Sequence, residues 1–156
     1  MNDIIREHLV KALTGGNAFV PYKEALKNVD PQKRNKRANE KTHSVWEELE
    51  HIRIAQDDII NYMLDANWKS PKWPAEYWPK ERNDISEIEW KNSLDGFLSG
   101  LDKAIEITND ENIDLLSIIP HTKEHTYLRE ILLIIEHNAY HLGKILDVRK
   151  SLSDWR

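Results

Sequence analysis

The sequence predicts an all-α protein, most simply a four-helix bundle. Apolar residues recur at helical spacing, and the β-branched residues do not alternate with polar ones as they do in a half-buried strand. Only five glycines occur among the 156 residues. The length corresponds to one compact domain, and 40% hydrophobic residues are enough to fold it, so we predict a single domain over residues 1–156.

Local signals mark where the helices begin and end. Gly15 and Gly16 stop the first helix, Ser44 and Glu47 have the spacing of a capping box at the start of the second, and Pro120 precedes the fourth. The predicted helices cover about residues 4–13, 42–67, 84–105 and 122–148.

The two long connections differ in composition. Residues 17–41 include one expected turn of helix after Pro21, while tryptophan and proline in residues 68–83 oppose regular helix. A second capping-box pattern, Asp84 and Glu87, is expected to begin the third helix. On the fourth helix, the predicted core stripe consists of Leu128, Leu132, Ile135, Ala139, Leu142 and Leu146.

The histidines are the candidate metal ligands, because the chain has seven of them and no cysteine. Two pairs have i, i+4 spacing, which places both imidazoles on one helix face: His121/His125 and His137/His141. On a helical wheel the second pair flanks the core stripe, and His51 has a similar place on the second helix. Three imidazoles with open positions are typical of a catalytic metal site. Alternatively, each histidine is a hydrogen-bonded side chain that binds no metal. From the spacing alone, this second interpretation is preferred.

Several neighbouring residues bear on this hypothesis. Asp58 and Glu47 are candidate carboxylates for orienting an imidazole. The glutamate of His-Glu-x-x-His is missing between His137 and His141, which argues against a zincin protease. Asn138 is expected to make a buried polar contact, whereas Tyr140 and Arg129 fall on the polar side of the wheel and receive no role.

Two loops allow two interpretations each. Five basic residues between positions 31 and 41 form either a collar for an anionic substrate or a solvated linker, which we prefer. The segment from Trp68 to Trp78 forms either a lid or wall beside the metal, or structural cover at the end of the bundle or at a dimer interface. We expect structural cover.

Three segments together resemble the DinB superfamily. Residues 127–143, which read YLREILLIIEHNAYHLG, resemble the final helix of that family, and residues 43–51, HSVWEELEH, resemble its second helix. The residues around Trp73-Pro74 and Tyr77-Trp78-Pro79 fit a common branch of the family.

The resemblance implies a four-helix bundle with up-down-down-up connectivity that forms a homodimer. It also implies a divalent metal, nickel or zinc most often, held by one histidine of the second helix and a pair on the last. In this sequence those residues are His51, His137 and His141. With the resemblance included, a metal site becomes the preferred interpretation.

Characterised relatives include thiol transferases and isomerases that use low-molecular-weight thiols such as bacillithiol, mycothiol or glutathione. The resemblance therefore implies a metal-dependent transferase that acts on a small-molecule substrate. Because the chain has no cysteine, a cofactor would have to supply the thiol. A metal-dependent hydrolase and a non-catalytic, stress-related metal-binding bundle are the alternatives.

Charge and hydropathy limit the remaining classes. The formal net charge of −5 and the absence of a recognition motif disfavour nucleic acid as a partner. The longest aliphatic run, residues 131–135, is too short to span a bilayer, and the N-terminus lacks a signal-peptide pattern. We therefore expect a cytoplasmic protein that does not enter the membrane.

Overall fold

Four long helices and one short helix pack together in the computed structural model, which describes residues 2–82 and 84–155. Within those residues, extended pairing is limited to a single bridge between Ile118 and Thr126. The predicted all-α class is therefore confirmed. The helices are α1 (Asn2–Thr14), α2 (Tyr22–Ala25), α3 (Val45–Leu64), α4 (Glu87–Asn109) and α5 (Tyr127–Ser151).

Helices α3 and α4 run parallel, as their cross-helix hydrogen bonds show. The Ser93 hydroxyl donates to the Glu50 carboxylate over 2.6 Å, and the Gln56 amide donates to the Phe97 carbonyl over 2.9 Å. The residue numbers increase together in the two helices, from 50 to 56 in α3 and from 93 to 97 in α4. Parallel neighbours require the connection between them to return along the bundle.

Helix α5 runs antiparallel to α3, and α1 runs antiparallel to α4. Glu48 contacts His141, and His51 contacts His137. Moving one turn forward along α3 therefore means moving one turn back along α5. Arg6, near the start of α1, donates to the carbonyl of residue 108, near the end of α4. The order is therefore up-down-down-up, the connectivity expected of the bundle.

Each of the last three helices begins at a capping side chain, and two of these starts lie later than predicted. Helix α3 begins at the predicted capping box, since the Ser44 hydroxyl accepts from the Glu47 amide and the Glu47 carboxylate accepts from the Ser44 amide. Helix α4 begins two residues later than expected, because Ser86 and Glu89 form its capping box. Helix α5 begins after its N-cap Thr126, because residues 119–125 are held in turns.

The buried face of α5 is rotated from the predicted stripe. Leu132 is 47% exposed, whereas Ile131, Ile134 and Asn138 are buried. Helix α5 contacts α1, α2 and α3, so its buried arc includes the second apolar strip, on which the histidine pair lies. The histidines therefore face the interior more directly than the wheel suggested.

Arginines of the basic segment, residues 31–41, form ion pairs with both α3 and α4. The Arg34 guanidinium is buried, pairs with Glu87 and lies over the ring of Trp90, 4.7 Å from its centroid. Arg37 makes two hydrogen bonds to the Glu47 carboxylate. These pairings differ from both the solvated linker and the anion collar that the sequence allowed.

Membrane spanning can be tested on the same helices. Across residues 2–82 and 84–155, no helix combines the length and the hydropathy that crossing a bilayer requires.

Gly100 allows the close approach of α3 and α4, and we expect Gly100→Ala to destabilise the fold. An added Cβ would lie 2.2 Å from the Gln56 amide nitrogen. Gln56 is buried, donates to Phe97 and accepts from Asn138. Displacing it disrupts buried hydrogen bonds worth about 1 kcal/mol each and leaves polar atoms unpaired, which outweighs the helix-propensity gain of about 1 kcal/mol. Urea unfolding should show a net loss of about 1–3 kcal/mol.

Gly143→Ala is the matched control. Its Cβ would meet nothing within 4 Å, so alanine should stabilise α5 by about 0.5–1 kcal/mol. Equal stability of the two alanine variants would show that the contact between Gly100 and Gln56 carries no cost.

Candidate metal centre

The three predicted histidines lie together between α3 and α5. His51 comes from α3, and His137 and His141 come from adjacent turns of α5. Nε2 of His51 and Nε2 of His137 are 3.2 Å apart, and one ring nitrogen from each of the three residues lies within 4.8 Å of the others. His51 and His141 are buried, and His137 is half-buried at the edge of the cluster.

Two of the imidazoles are oriented through Nδ1. Nδ1 of His51 lies 2.7 Å from the Tyr77 carbonyl oxygen, and Nδ1 of His141 lies 2.5 Å from Oε2 of Glu48. Because a carbonyl and a carboxylate only accept hydrogen bonds, each Nδ1 carries the proton. In a ring whose single proton is on Nδ1, Nε2 is free to act as a ligand through its lone pair.

The chemistry of this donor set fits a divalent cation. Burial, together with the neighbouring His141 and His51, lowers the pKa of His137 to about 4. Burial also lowers the pKa of His51. At pH 7 these lowered pKa values leave His51 and His137 neutral, so each has a ring nitrogen with a free lone pair. Imidazole nitrogen is a preferred ligand of zinc and nickel, so the cluster could bind such an ion.

Glu48, rather than Asp58 or Glu47, is the carboxylate that contacts an imidazole of the cluster directly. Glu47 is occupied by Arg37 and by the amide of Ser44. Glu48 precedes His51 by three residues, a spacing that places both on one helix face. That spacing was a usable signal in the sequence, but it does not show which carboxylate reaches the neighbouring helix.

Asp58 acts at the centre indirectly, through the segment rich in tryptophan and proline. Its buried carboxylate accepts hydrogen bonds from Nε1 of Trp68, over 2.8 Å, and from the Tyr77 hydroxyl. Burial and the hydrogen bond to Asp58 raise the pKa of Tyr77 to about 12, so the hydroxyl stays protonated and donates. The same Tyr77 orients His51 through its carbonyl oxygen.

Trp78 completes a wall beside the histidines. Its ring stacks on His51 with centroids 3.9 Å apart and planes 2° apart, and it also stacks on His43 at 3.9 Å. These contacts with His51 fit a wall beside the candidate site, the other interpretation of residues 68–78, and not the structural cover that we expect from the sequence.

The other singled-out residues have different positions. Tyr140 is exposed, but its ring centroid lies 4.9 Å from that of His141, closer than the wheel suggested. Arg129 pairs with Glu130. The Asn138 amide donates to Gln56 over 2.8 Å, which confirms the predicted buried contact between helices.

The second histidine pair does not join the cluster. His125 contacts the Tyr62 hydroxyl through Nδ1, and Nε2 of His121 lies 2.7 Å from the Tyr62 carbonyl oxygen. Both contacts hold the turn before α5 against the end of α3. These histidines have a structural explanation.

Comparison with known proteins identifies the family. A family model described as the DinB superfamily matches residues 22–145. The chain belongs to the DinB superfamily. The matched DinB region contains all three clustered histidines and the wall formed by the Trp68–Trp78 segment. Among curated proteins and among solved structures, the comparisons find no match to this DinB-superfamily chain.

In this DinB-superfamily protein, we expect Asp58→Asn to weaken zinc or nickel binding by about tenfold. Asparagine has only one oxygen acceptor, and its NH₂ group would face the N–H of Trp68 or the hydroxyl of Tyr77. Residue 58 could then no longer accept hydrogen bonds from both side chains. His51 would then lose part of its orientation. Competition with a chelating dye measures the affinity, and far-UV circular dichroism checks the fold.

Asp57→Asn is the matched control, since Asp57 is the neighbouring residue and pairs with Arg53 instead. Its metal affinity should equal that of the wild type. If the two variants bind metal equally well, Asp58 has no influence on the centre.

Proposed function

We propose that this DinB-superfamily protein binds one divalent metal, nickel or zinc, through His51, His137 and His141. The observation that carries the proposal is the convergence of three ring nitrogens within 4.8 Å of one another. Tyr77 and Glu48 support it, because they hold the Nδ1 protons of two rings and leave Nε2 free.

We further propose that the bound metal serves a transferase reaction with a low-molecular-weight thiol. A divalent ion in a three-histidine site has open positions and, when bound, favours the thiolate form of a small thiol. The chain has no cysteine, so the thiol must arrive as a cofactor. Trp78 and the Tyr77 backbone cover one side of the centre and limit the access of water to it.

The carboxylates near the centre favour thiol transfer over hydrolysis. A hydrolase benefits from a general base that can take a proton from water. Glu48 contacts His141 on its Nδ1 side, away from the converging Nε2 atoms, and Asp58 is occupied by Trp68 and Tyr77. Neither carboxylate is positioned as a free base.

Elemental analysis followed by a thiol-consumption assay tests the proposal. Untagged protein purified without chelators should contain nickel or zinc. With an alkyl halide as electrophile, loss of bacillithiol, mycothiol or glutathione should exceed the buffer rate, stop after metal removal and return when metal is restored. Protein that contains no metal and binds none would refute the site. Metal binding without thiol consumption would leave the non-catalytic interpretation, and hydrolysis of an activated ester would support the hydrolase.

We also propose that the protein is a cytoplasmic homodimer that acts on a small molecule and has no nucleic-acid partner. The net charge of −5 supports the last point, because phosphate backbones repel an acidic protein. Light scattering after size-exclusion chromatography would give the oligomeric state, and a mass near that of one 18.4 kDa chain would refute the dimer.

A further inference from the structure

Two buried polar atoms beside the candidate metal centre have no hydrogen-bond partner in the described part of the chain. They are Nδ1 of His137 and Oδ1 of Asn138, which are consecutive residues of α5. The other two rings of the cluster each have an acceptor at Nδ1, provided by Tyr77 and by Glu48. Because buried polar atoms are nearly always paired, two orphaned atoms on adjacent residues need a physical explanation.

The contact between His51 and His137 assigns the proton of the His137 ring when no metal is bound. Nδ1 of His51 donates to the Tyr77 carbonyl oxygen, so Nε2 of the neutral His51 ring is an acceptor. Nε2 of His137 lies 3.2 Å from it, and this contact is a hydrogen bond only when Nε2 of His137 carries the proton. Nδ1 of His137 is then a lone pair without a donor.

The Asn138 side chain is oriented by a chain of hydrogen bonds that begins on α4. Its amide nitrogen donates to Oε1 of Gln56 over 2.8 Å, and the Gln56 amide donates to the Phe97 carbonyl oxygen over 2.9 Å. The amide nitrogen of Asn138 is therefore engaged, and its remaining group, Oδ1, can only accept. Burial and the other two rings lower the pKa of His137, whereas the Asn138 side chain raises it, so the two side chains interact.

We propose that Asn138 is a positioning residue of the metal centre, whose Oδ1 accepts a hydrogen bond from Nδ1 of His137 when Nε2 of that ring is a ligand. A neutral imidazole has a single proton, so a ring that uses its Nε2 lone pair must carry the proton on Nδ1. The His137 proton is therefore exchanged from Nε2 to Nδ1, and the two orphaned atoms become partners. All three rings then have an acceptor at Nδ1. This inference rests on the proposed metal site.

Imidazole ¹H–¹⁵N correlation spectra of the protein, with and without zinc, test the proposal because they distinguish protonated, bare and metal-bound ring nitrogens. We expect the His137 proton on Nε2 without zinc and on Nδ1 at saturating zinc, while His51 and His141 keep theirs on Nδ1. Zinc bound to Nδ1 of His137, or a proton on Nδ1 before zinc is added, would overturn this inference and leave the metal site intact. Protein that binds no zinc would refute both.

Two substitutions of Asn138 separate its acceptor from its packing. Asn138→Leu and Asn138→Asp keep a side chain of similar size and both remove the donor to Gln56, but aspartate retains an acceptor beside His137. We expect Asn138→Leu to weaken zinc binding by about tenfold, and Asn138→Asp to stay within about threefold of the wild type. Equal zinc affinities of the two variants would overturn the role of Oδ1. If either variant fails to fold, the wild-type ring spectra still decide.

Discussion

Replacing His137 with alanine is expected to weaken nickel or zinc binding by at least about 100-fold, because it removes one of only three converging nitrogens. The variant keeps two imidazoles of the cluster, His51 on α3 and His141 on α5. Competition with a chelating dye gives the affinities of both proteins. Thermal unfolding gives an independent measure, since a metal at 100 times its Kd should stabilise the wild type by about 2.7 kcal/mol and the variant hardly at all.

The metal-free variant should fold normally. Nδ1 of His137 is buried and has no hydrogen-bond partner in the described chain, so alanine removes a ring that contributes little to stability without metal. His121→Ala is the matched control, because it removes an exposed histidine of the other i, i+4 pair. Metal binding by His137→Ala at wild-type affinity would place the ion elsewhere.

Arg149→Met is expected to lower the free energy of unfolding by about 3–5 kcal/mol. Arg149 is 2% exposed and joins the end of α5 to the segment after α2. It donates to the carbonyl oxygens of Ala25 and Lys27 and to the Asp154 carboxylate. Methionine has similar length but no donors, so these acceptors and a nearly buried carboxylate would lose their partner together.

Urea unfolding measures the loss, and an unchanged m value would show that the variant reaches the same unfolded state. Lys150→Met provides the control, since Lys150 is the exposed next residue and its replacement should change stability by less than about 0.5 kcal/mol. A loss for Arg149→Met within that range would show that water replaces the guanidinium at little cost.

The fold could be predicted from the sequence where the signal was local. Ser44 and Glu47 begin α3 as expected, because a capping box depends on residues three apart. The start of α4 was placed too early because Asp84 and Glu87 show the same spacing as the true pair, Ser86 and Glu89. Only the path of the chain before the helix decides between two such patterns.

The three clustered histidines could be named from the sequence, but the residues that orient them could not. His137 and His141 are related by helical spacing alone, and their link to His51 came from family resemblance. Contacts of Tyr77 and Trp78 with His51 depend on how an irregular segment folds, for which periodicity gives no guide. The helical wheel misplaced the buried face of α5 because α5 packs against three helices, α1, α2 and α3. Its buried arc is therefore wider than a single apolar stripe.

The parallel arrangement of α3 and α4 has a consequence for how such a site can change during evolution. Helix α3 has 20 residues, so the chain after it must travel back about 30 Å before α4 can begin. Tyr77 and Trp78 belong to this return path, and neither is a member of the two clusters that form the described core. Insertions or substitutions there would change the cover over the three histidines without touching either core cluster. That cover and the helical core can therefore diverge independently along one chain.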